Sequence, residues 1–415
     1  MLTNTGDVAG AHDEYREALR IRESLADDDP KYRRGLAIGL SIFGAAIARS
    51  GKLDQARQYF ERSVVLREQL LAEEPDDLKR LRDVSVAYLR VGGTLEALGD
   101  SEGALGQYVQ AIQTRRRRVE AEPDNDRANR DLAFAHYLAG QALLSLDRPD
   151  EAMPHVDHFV VIAEQRVNDN PKDARAKRDL TIAYELVGMQ KAKTDDVEAA
   201  LDSYRRFQSV IVVLSQADPV NIQYRRLVAT SYQRLGEALA SQHDQHGANR
   251  AYHDALEIVM GLAEADPNDG RPKSDRAGLL LALGELQAET QATAEAEDSL
   301  ELARTLYQDL LEVDLKHSGF REGLVSTLAA LSKLLAGLDD SERALEYVQE
   351  ALATARQFSP SMLRNLAIAC HLAGDNQRAV ETTKEALRLF SEKQEDPKTD
   401  ELRQQLEADL QRYRR

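Results

Sequence analysis

A single cysteine, Cys370, in 415 residues leaves no internal disulfide framework and fits a reducing compartment. Basic residues are outnumbered, 54 lysines and arginines against 71 aspartates and glutamates, and the formal net charge is -17. That balance argues against a general binder of nucleic acid or anionic membranes, since both need a basic footprint. No stretch approaches membrane-spanning length, and the opening MLTNTGDVAG holds neither the basic nor the apolar segment of a signal peptide. A cytoplasmic protein is the default. The chain also lacks a phosphate-binding GxxxxGK loop, a GxSxG elbow, and the HRD, DFG and Gly-rich motifs of a kinase. No enzyme is visible in it, and no cofactor is implied.

What is present is a regular beat. Gly44, Gly92, Gly140, Gly188, Gly236 and Gly284 step by 48 without slippage, as do Ala56, Ala104, Ala152, Ala200, Ala248 and Ala296. Pro75, Pro123, Pro171, Pro219 and Pro267 follow the same step, and an aromatic or aliphatic residue stands four positions after each alanine: Phe60, Tyr108, Val156, Tyr204, Tyr252 and Leu300. A period of this length marks a stacked repeat array in which each unit packs only on its neighbours. Hydrophobic residues at 42% and charged residues at 30% suit a folded helical chain.

Within residues 124–171, Leu132, Ala135, Ala139, Leu143 and Leu146 follow helical spacing, then a polar break at 147–150 precedes a second run through Ala152, Val156, Phe159 and Ala163. The unit is a helix-turn-helix whose helices run to about 20 residues, or about 30 Å each. Proline lacks the amide proton a continuing helix needs and so separates units. Asp77, Asn125, Asp173, Asn221 and Asp269, two positions after each proline, are N-cap types placed to start the next helix. The small residues, Gly140 and Ala152 in this unit, let the two helices approach, and the large residue after the alanine is expected to fill the space between units. Pro149 is harmless at a helix entrance, but Pro154 lies a turn inside and predicts a late start or a bend near Met153.

These features resemble the tetratricopeptide repeat. The segments SGKLDQARQYFERSV at 50–64, LGDSEGALGQYVQAI at 98–112 and AGDNQRAVETTKEAL at 373–387 look like that family's turn and second helix. The family's usual period is about 34 residues, so the longer unit here is an extended form. It is similar to arrays attached to bacterial signalling proteins, including some serine/threonine kinases. Gly6, Ala11, Tyr15 and Ala18 match Gly51, Ala56, Phe60 and Ser63, so the chain opens inside a repeat. Residues 1–30 read as a partial repeat holding the second helix only, 31–397 as eight hairpins, and 398–415 as a capping helix striped with Leu402, Leu406 and Leu410. Arg412, Arg414 and Arg415 suit that helix's C-terminal dipole.

Other candidate chemistry reads as structural. Arg34, Arg82, Arg130, Arg178 and Arg226 also step by 48 and could form a phosphate-binding ladder. The favoured reading is that each folds back on the preceding helix end and an acid such as Glu74, Glu122 or Asp218. Arg115–Arg118 wrap around their helix and read as a solvated end balanced by Glu120 and Glu122. His155 with His158, or His243 with His246, offer too few ligands for a structural zinc site, and no metal is assigned. Cys370 occupies a core position.

The fold expected is all-α, a right-handed superhelical solenoid of antiparallel helix hairpins. The function expected is a non-catalytic scaffold that binds a protein or peptide in the concave groove lined by first helices. Resemblance to the family places Tyr137, Gln141, Leu144, Glu185, Met189, Gln233, Glu237, Leu281 and Glu285 in that groove. Glutamates and glutamines stand where the family's best-known carboxylate clamp would be. A basic or amphipathic helical partner therefore fits better, with no nucleic acid and no membrane. The alternative is the regulatory or scaffolding region of a larger signalling enzyme.

Overall fold

The computed structural model describes residues 8–266, 269–314, 317–354, 360–391 and 397–414; Gly6, Pro267 and Arg415 lie outside them. The described residues are α-helical apart from short turns and one 3-10 turn, and they divide into two compact units, residues 1–196 and 197–415.

The first unit holds α1 (Val8–Asp28), α2 (Arg33–Arg49), α3 (Leu53–Glu73), α4 (Leu78–Ala97), α5 (Ser101–Ala121), α6 (Asp126–Ser145), α7 (Pro149–Asp169) and α8 (Ala174–Lys193). The second holds α9 (Val197–Ala217), α10 (Ile222–Ser241), α11 (Gln245–Ala265), α12 (Gly270–Glu289), α13 (Thr293–Val313), α14 (Ser318–Gly337), α15 (Ser341–Thr354), α16 (Pro360–Leu372), α17 (Asn376–Ser391) and α18 (Pro397–Tyr413). Within each unit every helix packs on the one before and the one after it, so hairpins stack as a solenoid. One core runs through α1 to α6, and another through α10 to α16. Leu406 of α18 is fully buried against Leu363 and Ala386, covering the last hairpin.

Helix starts follow the junction residues. The side chain of Asp77 accepts from the amides of Lys79 and Arg80, Asn125 from Ala128, Asp173 from Arg175, Asn221 from Gln223 and Tyr224, and Asp269 from Arg271. Each cap satisfies amides that would otherwise have no partner at a helix entrance. Helix ends use the backbone instead. Gly51, Gly99, Asp147, Asp195, His243, Gln291 and Asp339 all have positive φ, and they keep the same beat as the glycines. The next amide reaches back to a carbonyl five positions earlier, Arg148 to Leu143 at 2.9 Å and Asp244 to Leu239 at 2.9 Å. This left-handed cap turns the chain tightly from one helix into the next.

The glycine ladder works at closer range than its sequence suggests. Besides facing the next repeat, the large side chain of the second helix rests on the glycine of its own hairpin. A Cβ on Gly92 would stand 2.5 Å from Cε1 of Tyr108, on Gly236 2.6 Å from Cε1 of Tyr252, and on Gly284 2.6 Å from Cγ of Leu300. Gly140 is the exception, with Val156 Cγ2 at 3.4 Å. The late start expected of α7 is absent: the helix runs from Pro149 to Asp169 with Pro154 inside. Proline there withholds a single amide near the helix entrance, on a face where Asp150 and Pro154 are both exposed and water reaches the backbone.

These contacts predict opposite outcomes for one substitution. Gly92→Ala drives a methyl into the fully buried Tyr108 ring and should cost about 1–3 kcal/mol. Gly140→Ala meets ordinary contact distance and gains helix propensity, so it should be neutral or stabilise by up to about 1 kcal/mol. Denaturant unfolding of both variants checks the difference. Equal effects would mean that the ring does not rest on the glycine.

Candidate functional site

The expected groove residues fall in both units. In the first, Tyr137 and Gln141 on α6 are half-buried, as are Glu185 and Met189 on α8. The Tyr137 ring lies 5.7 Å from Phe134 and 5.3 Å from Phe159. Burial, then the charges of Glu185 and Glu96, push its hydroxyl up to about 12. Leu144 departs from the set: at 1% exposure it belongs to the core and offers no surface contact, because the end of α6 is covered at that position.

In the second unit, Gln233, Glu237 and Leu281 are half-buried and Glu285 is exposed. Glu237 is already engaged, accepting from Gln233 Nε2 at 2.9 Å and Arg234 Nη1 at 3.0 Å. Glu285 is not. It lines a cleft of about 830 Å³ with Glu289, Leu300, Lys333 and Leu338, between α12, α13 and α14. Desolvation raises the Glu285 carboxyl, against the pull of Lys333 and with a smaller push from Glu289. Desolvation likewise lowers the Lys333 ammonium, against Glu285. Among the described residues neither forms an ion pair within 4.0 Å, so a carboxylate and an ammonium stand open in one cleft. Lys333 escapes a reading of the sequence because Ser332 replaces the glycine that marks the beat.

Three of the five ladder arginines reach forward, not back. Arg34 Nε donates to Asp83 at 2.9 Å, Arg130 grips Asp179 through Nε at 2.7 Å and Nη2 at 3.2 Å, and Arg226 holds Asp275 at 2.5 and 2.8 Å. Each pair links the first helix of one repeat to the first helix of the next. The fork of two donors on one carboxylate explains why arginine, not lysine, fills the position. The fold-back role falls to Arg80, which meets Glu73 at 3.3 Å and Glu74 at 2.7 Å.

Arg115–Arg118 are not a solvated helix end either. Arg115 is 7% exposed, bonds to the Asp131 carbonyl and Ser85 Oγ, and is drawn down to about 10 by burial. Arg117 donates to the Pro75 carbonyl at 2.7 Å, and Arg118 pairs with Asp131 at 3.3 Å. The run ties α5 to both neighbouring junctions.

His155 and His158 acquire a third ring, His136, from α6. His136 Nδ1 lies 3.1 Å from His155 Nδ1, and its ring centroid is 4.1 Å from that of His158. The rings lie tilted against one another; among the described residues no group of three or more His, Cys, Asp or Glu is arranged to hold a metal. Burial, with the neighbouring charges of His158, His155 and Arg116, lowers His136 to about 3, and His155 and His158 are lowered too. Cys370, fully buried, is raised to about 11 mainly by desolvation, as an inert core thiol should be.

Asp179→Ala strips Arg130 of its partner and Arg166 of one of its three, and should destabilise the first unit by about 1–3 kcal/mol, read by denaturant unfolding. The histidines fold neutral, with values below their unfolded ones. Their contribution is therefore complete above about pH 6.5 and is lost as pH falls below it. His136 alone should cost roughly 2 kcal/mol between about pH 7.5 and about pH 5, and His136→Leu should flatten that slope. An unchanged slope would mean that the cluster does not set the acid sensitivity.

No family model matches the chain, and no curated protein matches it in sequence. Among the described residues no helix is long and apolar enough to cross a membrane. Solved structures do match. The apo form of RapI aligns at 14% identity and a TM-score of 0.50, over 74% of this chain and 99% of its own. A tetratricopeptide repeat protein from Parabacteroides merdae aligns at 15% identity and 0.41, over 79% and 94%. A STAND signal-transduction ATPase with a tetratricopeptide repeat sensor from Pyrococcus horikoshii aligns at 15% and 0.46, over 95% of this chain and 55% of that one. With the hairpins, caps and small-residue contacts described above, the chain has a tetratricopeptide-like fold.

Proposed function

We propose that this chain is a non-catalytic scaffold that binds a protein or peptide partner on the surface presented by its first helices. Solenoids of stacked hairpins expose such surfaces over a long span. The observation that carries the reading is the cleft holding Glu285 and Lys333, two opposite charges with no ion-pair partner beside apolar Leu300 and Leu338. Charges left open in a partly desolvated site favour a ligand that completes them. A basic side chain of the partner would meet Glu285 and Glu289, and a carboxylate would meet Lys333. Gln233, Leu281 and Glu237 extend the same helix face.

Affinity capture with the full chain, followed by binding measurements on the captured partner, tests this. The double reversal Glu285→Lys with Glu289→Lys should weaken binding at least about tenfold. It should also blunt the salt dependence, since screening confines these charges to about 8 Å at physiological ionic strength. Unchanged affinity and salt dependence would remove the cleft as the site.

A further inference from the structure

We propose that the first-helix face of residues 1–196 is a separate docking surface, shaped for an acidic, amphipathic segment of a protein partner. This rests on the scaffold reading and specifies the partner's chemistry for the first unit.

The face carries two parallel rows. Ten positions before each ladder glycine stand Arg34, Arg82, Arg130 and Arg178. Six positions before it stand Ile38, Val86, Phe134 and Ile182. Positions four apart share a helix face, so each first helix presents an arginine and, one turn on, an apolar side chain. Ile38 is 41% and Phe134 45% exposed, and Val86 and Ile182 are half-buried. An apolar row repeated over successive helices and left open to solvent marks an interaction surface more than a core. Phe134 and Tyr137, with their rings 5.7 Å apart, supply the aromatic bulk that such surfaces use as anchors.

The charge beside the row sets the partner's sign. Arg34 and Arg130 are held by Asp83 and Asp179. Arg82 is exposed and makes no ion pair among the described residues, and Arg178 has only a loose contact with Asp179 at 3.9 Å. Two uncommitted guanidiniums thus flank the apolar row in a chain whose net charge is -17. Screening limits the distant acidic residues, so the local arginines decide what binds here. The acids Glu96 on α4 and Glu185 on α8 stand further along their helices, past the apolar row. A partner segment would lay its apolar stripe on Phe134 and its neighbours and turn carboxylates toward Arg82 and Arg178. The second unit does not repeat the pattern: Thr230, Gly278 and Ser326 stand where the apolar row would continue.

A displayed library of amphipathic 20-residue peptides, with the polar positions varied from acidic to basic, can be sorted on the full chain. The retained pool should be acidic. Its binding should fall at least about tenfold with Phe134→Asp and with the pair Arg82→Glu and Arg178→Glu, yet hold with Glu285→Lys. All three sites are exposed, and helical circular dichroism confirms folding; Ile38→Asp serves as a second probe of the row. A basic or neutral pool, an empty one, or an acidic pool indifferent to these changes would overturn the inference. A basic pool lost with Glu285→Lys would do so while leaving the scaffold reading intact.

Discussion

Several hairpins close on a contact between bare helix backbone and a large side chain. With no Cβ on Gly92 or Gly236, the rings of Tyr108 and Tyr252 can rest against the first helix. Pairings elsewhere differ in volume. Gly140 faces the smaller Val156, and where Ser332 replaces glycine the equivalent facing position holds Val348. The beat of the sequence is thus a record of complementary volumes, since close-packed interiors transmit even a methyl's excess.

Between repeats, polar links add to the continuous apolar cores. Arg–Asp forks join successive first helices, and arginines such as Arg115 reach from a second helix to the first helix of the next repeat. A stack whose units touch only their neighbours depends on such terms for cooperativity, because each interface contributes separately.

The periodic features are legible because one residue type plays one part, with glycine at the contact, aspartate or asparagine at the cap and proline at the junction. Where chemistry varies or the partner is distant, the sequence is mute. The left-handed turn position is Gly99, Asp147, His243 and Gln291 in turn, and no composition rule unites these. Reading the sequence assigns Arg130 to the nearer helix end, because nothing in the residues says that its side chain reaches Asp179 on the next repeat instead of an acid close by. His136 joins His155 through tertiary packing alone. Leu144 and Phe134 show the same limit from both sides: apolar residues at helical spacing look alike, yet one is core and the other is surface.

The left-handed turns have a further consequence. Glycine adopts positive φ freely, whereas a residue with a side chain holds it at a cost of about 1–2 kcal/mol. Gly51, Gly99 and Gly374 close the hairpins toward the two ends of the chain without that cost, while Asp147, Asp195, His243, Gln291 and Asp339 carry it through the middle. The array is therefore graded, with stored strain concentrated in its central turns.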